Sequence, residues 1–301
     1  MPGGKKLKNR SIYALACFML ALAIIGGGCI SESKENPVEE TVSEPVTLGI
    51  IQWDDSRANS QVFKQILEAG GYEVEVVNAD VGGLYQAAAQ GDIDAIVGVW
   101  LPITQKPYWD KYGEDLDYVT NVSTGAKCGL VVPEYVTIDT IEELNENADK
   151  FDGIINGIEP GSGIMQSTEK CFVNYEMGNF ELYSSSTVGM VTELQSAIDN
   201  EEWIVVTLWR PHWSFARMDG LKFLEDTEGV YGENDNLAIV ARKDFQEDRP
   251  EIYEIMKRYN MDLYDIESMM IDIDKGKSAE QAAADWLAEN PEKIDEVLGN
   301  Q

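Results

Sequence analysis

Between residues 46 and 209, short β-branched apolar runs alternate with segments whose apolar residues recur at three- and four-residue spacing. The runs VTLGIIQ ahead of Trp53, YEVEVV at 72–77 and IDAIVGV at 93–99 read as strands. Between the first two, Ala58, Val62, Phe63, Ile66 and Leu67 fall on one face of a helix over 57–70, which Gly70 and Gly71 terminate. The alternation returns in CGLVVP at 128–133, IEELNENA, GIINGI at 153–158, a helix from Ile164 to Tyr175, a helix over 188–199 and WIVVTLW at 203–209. Beyond Pro250 the apolar period stays helical as far as Val297, in EIYEIMKRY, SAEQAAADWLAEN and KIDEVL. Strand–helix–strand spacing predicts parallel sheets. The chain is therefore expected to be α/β, with two units and ligand chemistry beyond the strand ends, in a cleft between them.

The first thirty residues follow another pattern. Lys5, Lys6, Lys8 and Arg10 precede an apolar run from Ile12 to Ile25, the layout of an export signal. The run closes on Gly26, Gly27, Gly28 and Cys29, so residues 1–28 read as a lipoprotein signal peptide and Cys29 as the lipidated N-terminus of the mature chain. Gly26 stands where bacterial signals of this kind usually carry leucine. An uncleaved anchor is the alternative, since the run approaches the length of a short spanning helix. Either form holds the rest of the chain extracytoplasmic, at the outer face of the cell membrane. Residues 29–45, mostly SESKENPVEETVSEP, bury too little to fold and read as a flexible tether.

Charge narrows the choice of partners. The chain has 23 basic and 54 acidic residues; loss of residues 1–28 removes four basic residues and no acidic ones, leaving a net charge of −35. Nucleic acid and anionic headgroups are disfavoured by that field, and a cationic ligand is drawn in. With Cys17 in the signal and Cys29 lipidated, Cys128 and Cys171 either pair as a disulfide or sit as two small buried apolar groups.

Three of the seven tryptophans end strands: Trp53 closes LGIIQW, Trp100 closes DAIVGVW and Trp209 closes IVVTLW. A single strand tryptophan is usually core. Three at one topological position, each followed by polar or turn residues, suggest converging indole faces. A quaternary ammonium group cannot donate a hydrogen bond, so fit and attraction to aromatic faces are what recognise it. For an anionic end, Gly161-Ser162-Gly163 lies between a strand and a helix, which turns the N–H groups of Gly163 and Ile164 outward at a helix N-terminus. Ser162 acting as an ordinary N-cap is the competing reading of that turn.

The segments WDDSRANSQVFKQILEAGGYEVE, GDIDAIVGVWLPITQKPYWDKYG, GAKCGLVVPEY, GIEPGSGIM and VVTLWRPHWSFA, in this order, resemble the glycine betaine and choline binding proteins of ABC importers over about residues 46–290. The resemblance implies a two-lobe periplasmic-binding fold of type II. Each lobe is then a parallel-dominated sheet with flanking helices; residues 46–127 with 225–301 form one, residues 128–224 the other, and two crossovers join them. It places Trp53, Trp100 and Trp209 in a cation cage and the Gly163 and Ile164 amides at the carboxylate. The implied role is capture of glycine betaine or a related betaine and its delivery to a permease and ATPase, with no metal and no cofactor.

Two positions qualify the ligand. Gln105 stands where similar glycine betaine binders have a histidine, and it donates without charge. Asp55, two residues past Trp53, resembles the choline receptors and keeps choline open as the ligand; Asp54 and Asp55 otherwise cap the helix that follows. His212 is the only histidine and by resemblance belongs to a structural turn, while Trp109, Trp213 and Trp286 read as packing groups. Tyr108, Tyr112 and Tyr135 are candidates for the cleft wall. A hydrolytic enzyme is the distant rival, without a nucleophile motif, and DIDKGKSAE at 272–280 lacks the acids of a calcium loop.

Overall fold

The computed structural model describes residues 44–218 and 220–300. The export signal, Cys29 and the tether as far as residue 43 lie outside the described residues. The first half of the fold runs β1 (Val46–Ile51), α1 (Asp54–Ala69), β2 (Val74–Ala79), α2 (Val81–Gln90), β3 (Ala95–Leu101), α3 (Lys106–Tyr112) and β4 (Leu116–Pro133). Next come β5 (Ile154–Gly157), α4 (Gly163–Asn174), β6 (Glu181–Ser184), α5 (Thr187–Asn200), β7 (Val206–Arg210), α6 (Ser214–Arg217) and β8 (Leu221–Phe223). The chain closes with β9 (Asp235–Arg242), α7 (Phe245–Asp248), α8 (Pro250–Arg258), α9 (Leu263–Asp274), α10 (Ala279–Glu289) and α11 (Glu292–Leu298).

The expected alternation of strands and helices is present, and its origin is visible in α1. Ala58, Val62, Phe63, Ile66 and Leu67 form one fully buried stripe. Gly71, at φ +86°, takes the left-handed conformation that lets the chain turn out of the helix into β2. Phe63 meets Tyr259 at 4.8 Å with ring planes inclined at 46°, and the Tyr259 hydroxyl donates to Asn59 in the same helix as Phe63, so the helical tail packs back onto the first unit.

β1, β2 and β3 pair in parallel, as do β5, β6 and β7. Two antiparallel strands link these sets. β9 lies between β3 and β4, while β4 pairs with β9 over Leu116–Ala126 and with β7 and β8 over Lys127–Pro133. The chain thus crosses between the parallel sets along β4 and returns through residues 224–234 into β9. Register shifts at Tyr118/Thr120, Asn121/Ser123 and Thr124/Ala126 bend β4 along the way.

The disulfide reading of Cys128 and Cys171 is corrected: both are free, buried thiols. Each is enclosed by its own neighbours. Cys128 sits on β4 opposite Trp209 of β7 and takes the Thr104 hydroxyl at 3.5 Å. Cys171 lies inside α4 beside Tyr231, and burial pushes its thiol up to about 12.

Candidate functional site

The turns that leave β1, β3 and β7 aim three indoles at one place. Trp53 is the extended residue directly before α1, and Trp100 and Trp209 are the next-to-last residues of their strands. The Trp100 and Trp209 turns are alike: one residue later each has a cis peptide bond, Leu101–Pro102 and Arg210–Pro211. The Trp53 and Trp209 ring centroids stand 6.3 Å apart with planes inclined at 51°. All three indoles, with Thr104, Cys128, Ile158 and Ile164, line one apolar cavity. It is tight, with about 20 Å³ of space for the centre of a water molecule. A broader open groove of about 770 Å³, between the start of α1, α5 and the end of α9, contains none of these indoles.

The polar groups behind the indoles differ. Trp100 donates its indole N–H to Asp55 Oδ2 at 3.1 Å, and Trp53 donates to Glu159 Oε1. The Trp209 N–H is buried without a partner among the described residues, as is Asp55 Oδ1. Burial lifts the Asp55 carboxyl to about 7, with the neighbouring Asp54 adding to the rise and the Trp100 N–H opposing it. Asp54, itself raised by burial, pairs with Arg57 at 3.0 Å. His212 meets the Trp209 ring edge-on at 4.8 Å and accepts the Ser214 N–H through Nδ1. Burial lowers its pKa to about 3, so it stays neutral and serves as packing.

At the other end of the cavity, α4 begins without a side-chain cap. The Ser162 hydroxyl turns back to the Glu159 carbonyl at 3.0 Å and leaves the helix amides alone. Gly163 and Ile164 sit at the first two helical positions, and their N–H groups make no hydrogen bond to another described residue. Asp80, Ser186, Asp262 and Ser278 cap α2, α5, α9 and α10, whereas α1, α3, α6, α7, α8 and α11 also lack a side-chain cap, so what sets α4 apart is its place beside the indole cavity. Gly163 is pressed onto the turn after Trp100, where an added Cβ would stand 2.0 Å from the Thr104 carbonyl oxygen. That turn is itself fixed, because Asp235 accepts the Ile103 and Thr104 N–H groups at 2.7 and 3.0 Å.

Of the seven expected ligand residues, Trp53, Trp100, Trp209 and Ile164 therefore meet at the cavity. Gly163 adjoins it through Thr104, and Asp55 reaches it through the Trp100 indole. Gln105, next to Thr104, is fully buried, and neither side-chain polar atom has a partner among the described residues. Tyr108 lines the neighbouring groove with Trp53 and Glu159, whereas the Tyr135 hydroxyl is occupied by the Glu202 carbonyl at 2.6 Å. Sequence reasoning missed Thr104, Cys128, Ile158, Glu159 and Asp235. Thr104 and Glu159 lie inside the quoted motifs WLPIT and GIEPG, which was the available signal. Nothing in the sequence links Asp235 to the turn it holds 131 residues away.

The chain matches the model of the substrate binding domain of the ABC-type glycine betaine transport system over residues 44–289. It is 35% identical over 175 residues to the glycine betaine/carnitine transport binding protein GbuC of Listeria monocytogenes, 58% of this chain and 56% of that protein. The chain thus spans little more than half the length of that relative. Among solved structures, lactococcal OpuAC, closed and complexed with glycine betaine, superposes with a TM-score of 0.81 at 35% identity, over 85% of this chain and 99% of that one. An ABC-transporter choline binding protein in complex with choline superposes with a TM-score of 0.79 at 27% identity, over 85% and 91% of the two chains.

Proposed function

This chain belongs to the family of substrate-binding domains of ABC-type glycine betaine transport systems, receptors rather than enzymes, and from that premise we propose that it captures glycine betaine or a close betaine between three indoles and hands it to a permease. The observation that carries the reading is the meeting of Trp53, Trp100 and Trp209 at one apolar cavity, with Ile164 and the open end of α4 at its edge. An indole face is the strongest natural partner for a cation that cannot donate, at about 0.5 to 2 kcal/mol per contact. Two free amides at a helix N-terminus suit a carboxylate. One small zwitterion satisfies both ends.

The cavity's 20 Å³ is room for a single water centre. A trimethylammonium group therefore enters only if the indoles part and close again on it. Trp53 and Trp100 belong to the part of the chain that we assign to one lobe, residues 46–127 with 225–301. Trp209, Gly163 and Ile164 belong to residues 128–224, the other lobe. Closure then completes the site and makes affinity depend on the closed state. Gln105, buried and unpartnered beside Thr104, supplies a neutral amide for the anionic end. Among the described residues no helix is long and apolar enough to cross a membrane, and we assign membrane attachment to the export signal and Cys29.

Choline is the second reading, and Asp55 favours it, as a buried carboxylate with one unpartnered oxygen. A thermal-shift screen of glycine betaine, proline betaine, choline, carnitine and dimethylglycine tests both. Glycine betaine is expected to give the largest stabilisation, and Gln105→His to hold or increase it. A larger shift with choline, abolished by Asp55→Asn, moves the assignment to choline; no shift with any of the five overturns both.

A further inference from the structure

Two of the three cage indoles donate their N–H to a carboxylate, and neither carboxylate lines the cavity. Asp55 stands behind Trp100 and Glu159 behind Trp53; Glu159 comes from the loop after β5 and also accepts the Thr187 hydroxyl at 3.3 Å. Among the described residues Trp209 has no such backing. We propose that Asp55 and Glu159 are positioning residues that select for a positive charge in the cage without touching it, each acting through the indole whose N–H it holds. The inference rests on the caged-cation reading above and assigns to Asp55 a role through Trp100 in place of direct ligand contact.

The physical argument has two parts. A carboxylate accepting the N–H fixes the indole's rotation, so the face and not the edge meets the ligand. It also places negative charge in the plane of the ring, just beyond the N–H edge, fully so on Asp55 only above its pKa of about 7. At roughly 7 Å, with an effective dielectric between about 20 and 40, a unit charge changes the affinity for a cation by about ten- to fifty-fold. Asp55 leaves bulk water to do so, and Glu159 leaves it in part. Asp55 is buried, and Glu159 is held at both oxygens by Trp53 and Thr187. Desolvating a carboxylate is costly, and a core packed only for shape would not carry Asp55. Glu159 and Trp53 are 106 residues apart in the chain, and only the fold pairs them.

The isosteres Asp55→Asn and Glu159→Gln keep an acceptor oxygen for the indole and remove the charge. The probes are glycine betaine and tert-butylacetate, which has the same shape and the same carboxylate but carbon in place of nitrogen. Both are titrated by calorimetry at about pH 8.5, where Asp55 is ionised, the second by competition where it is weak. Each substitution is expected to weaken glycine betaine about ten-fold or more and to leave tert-butylacetate unchanged or slightly tighter, with the effects accumulating in the double variant. Parallel weakening of both ligands means the carboxylates only orient the rings, and unchanged affinities mean they are inert; either result overturns the proposal. If the wild-type protein binds neither probe, the caged-cation reading has failed instead. Because the two carboxylates reach different indoles, the second variant still decides the matter if the first does not fold.

Discussion

Gly163→Ala is the perturbation that the geometry specifies most sharply. A Cβ at this position would stand 2.0 Å from the Thr104 carbonyl oxygen and 2.7 Å from its carbonyl carbon and Cγ2. Ordinary carbon–oxygen contact needs roughly 3.4 Å, so α4 and the turn after Trp100 must part by more than about 1 Å; a gap of that size already forfeits up to half of a dispersion contact. Asp235 holds the Thr104 turn, so the movement falls mainly on α4, carrying Ile164 and the two open amides away from the indoles. Hydrogen bonds to a charged group contribute about 1.5 to 3 kcal/mol each. Losing most of one or two corresponds to a drop in affinity on the order of thirty- to a thousand-fold. The helix itself is not weakened, because alanine favours helix over glycine. Gly178→Ala, where an added Cβ meets nothing within 4 Å, is the matched control. Calorimetry with glycine betaine on both variants, beside their thermal unfolding, makes the comparison. Wild-type affinity in Gly163→Ala refutes the claim that the start of α4 must press on the Thr104 turn to form the site.

Two further outcomes follow from burial. The folded pKa of Asp55, about 7, lies above the unfolded carboxyl value of 3.8, so the folded state holds this proton more tightly. Its contribution to stability is complete below about pH 4 and disappears as pH rises through 7, a difference of a few kcal/mol. Asp55→Asn is therefore expected to raise Tm at pH 8 and to lose that advantage toward pH 4; an equal difference at both pH values contradicts the assignment of burial as the cause. Because Cys128 and Cys171 are free and buried, a reductant is expected to leave Tm unchanged, and both thiols to react with a thiol reagent only on unfolding; a fall in Tm on reduction would show a disulfide.

Much of the site was legible because it lies where local pattern is strongest. Each cage tryptophan follows an apolar run and precedes a turn, and the α1 stripe is a clean helical period ended by Gly70 and Gly71. What escaped is non-local. β9 is central in the sheet, yet Leu237–Ala241 is a short apolar run with no alternation, and nothing local tells such a run from a buried helix segment. The first half of β4 is polar and bent by three register shifts, so it carries no strand period. Ser162 has the spacing of an N-cap, and only the fold shows its hydroxyl turned to Glu159 instead. The carboxylates behind Trp53 and Trp100 belong to the same class, since each pairing joins segments far apart in the chain.

The claim on which the rest depends is that the indoles bind the ligand's cationic head, and Trp100→Ala tests it most directly. Trp100 is almost fully buried and lines the cavity, so the variant is first compared with wild type by circular dichroism and then titrated with glycine betaine by calorimetry. The account predicts native-like spectra and no measurable heat of binding. Retention of the wild-type dissociation constant in a folded Trp100→Ala protein contradicts it.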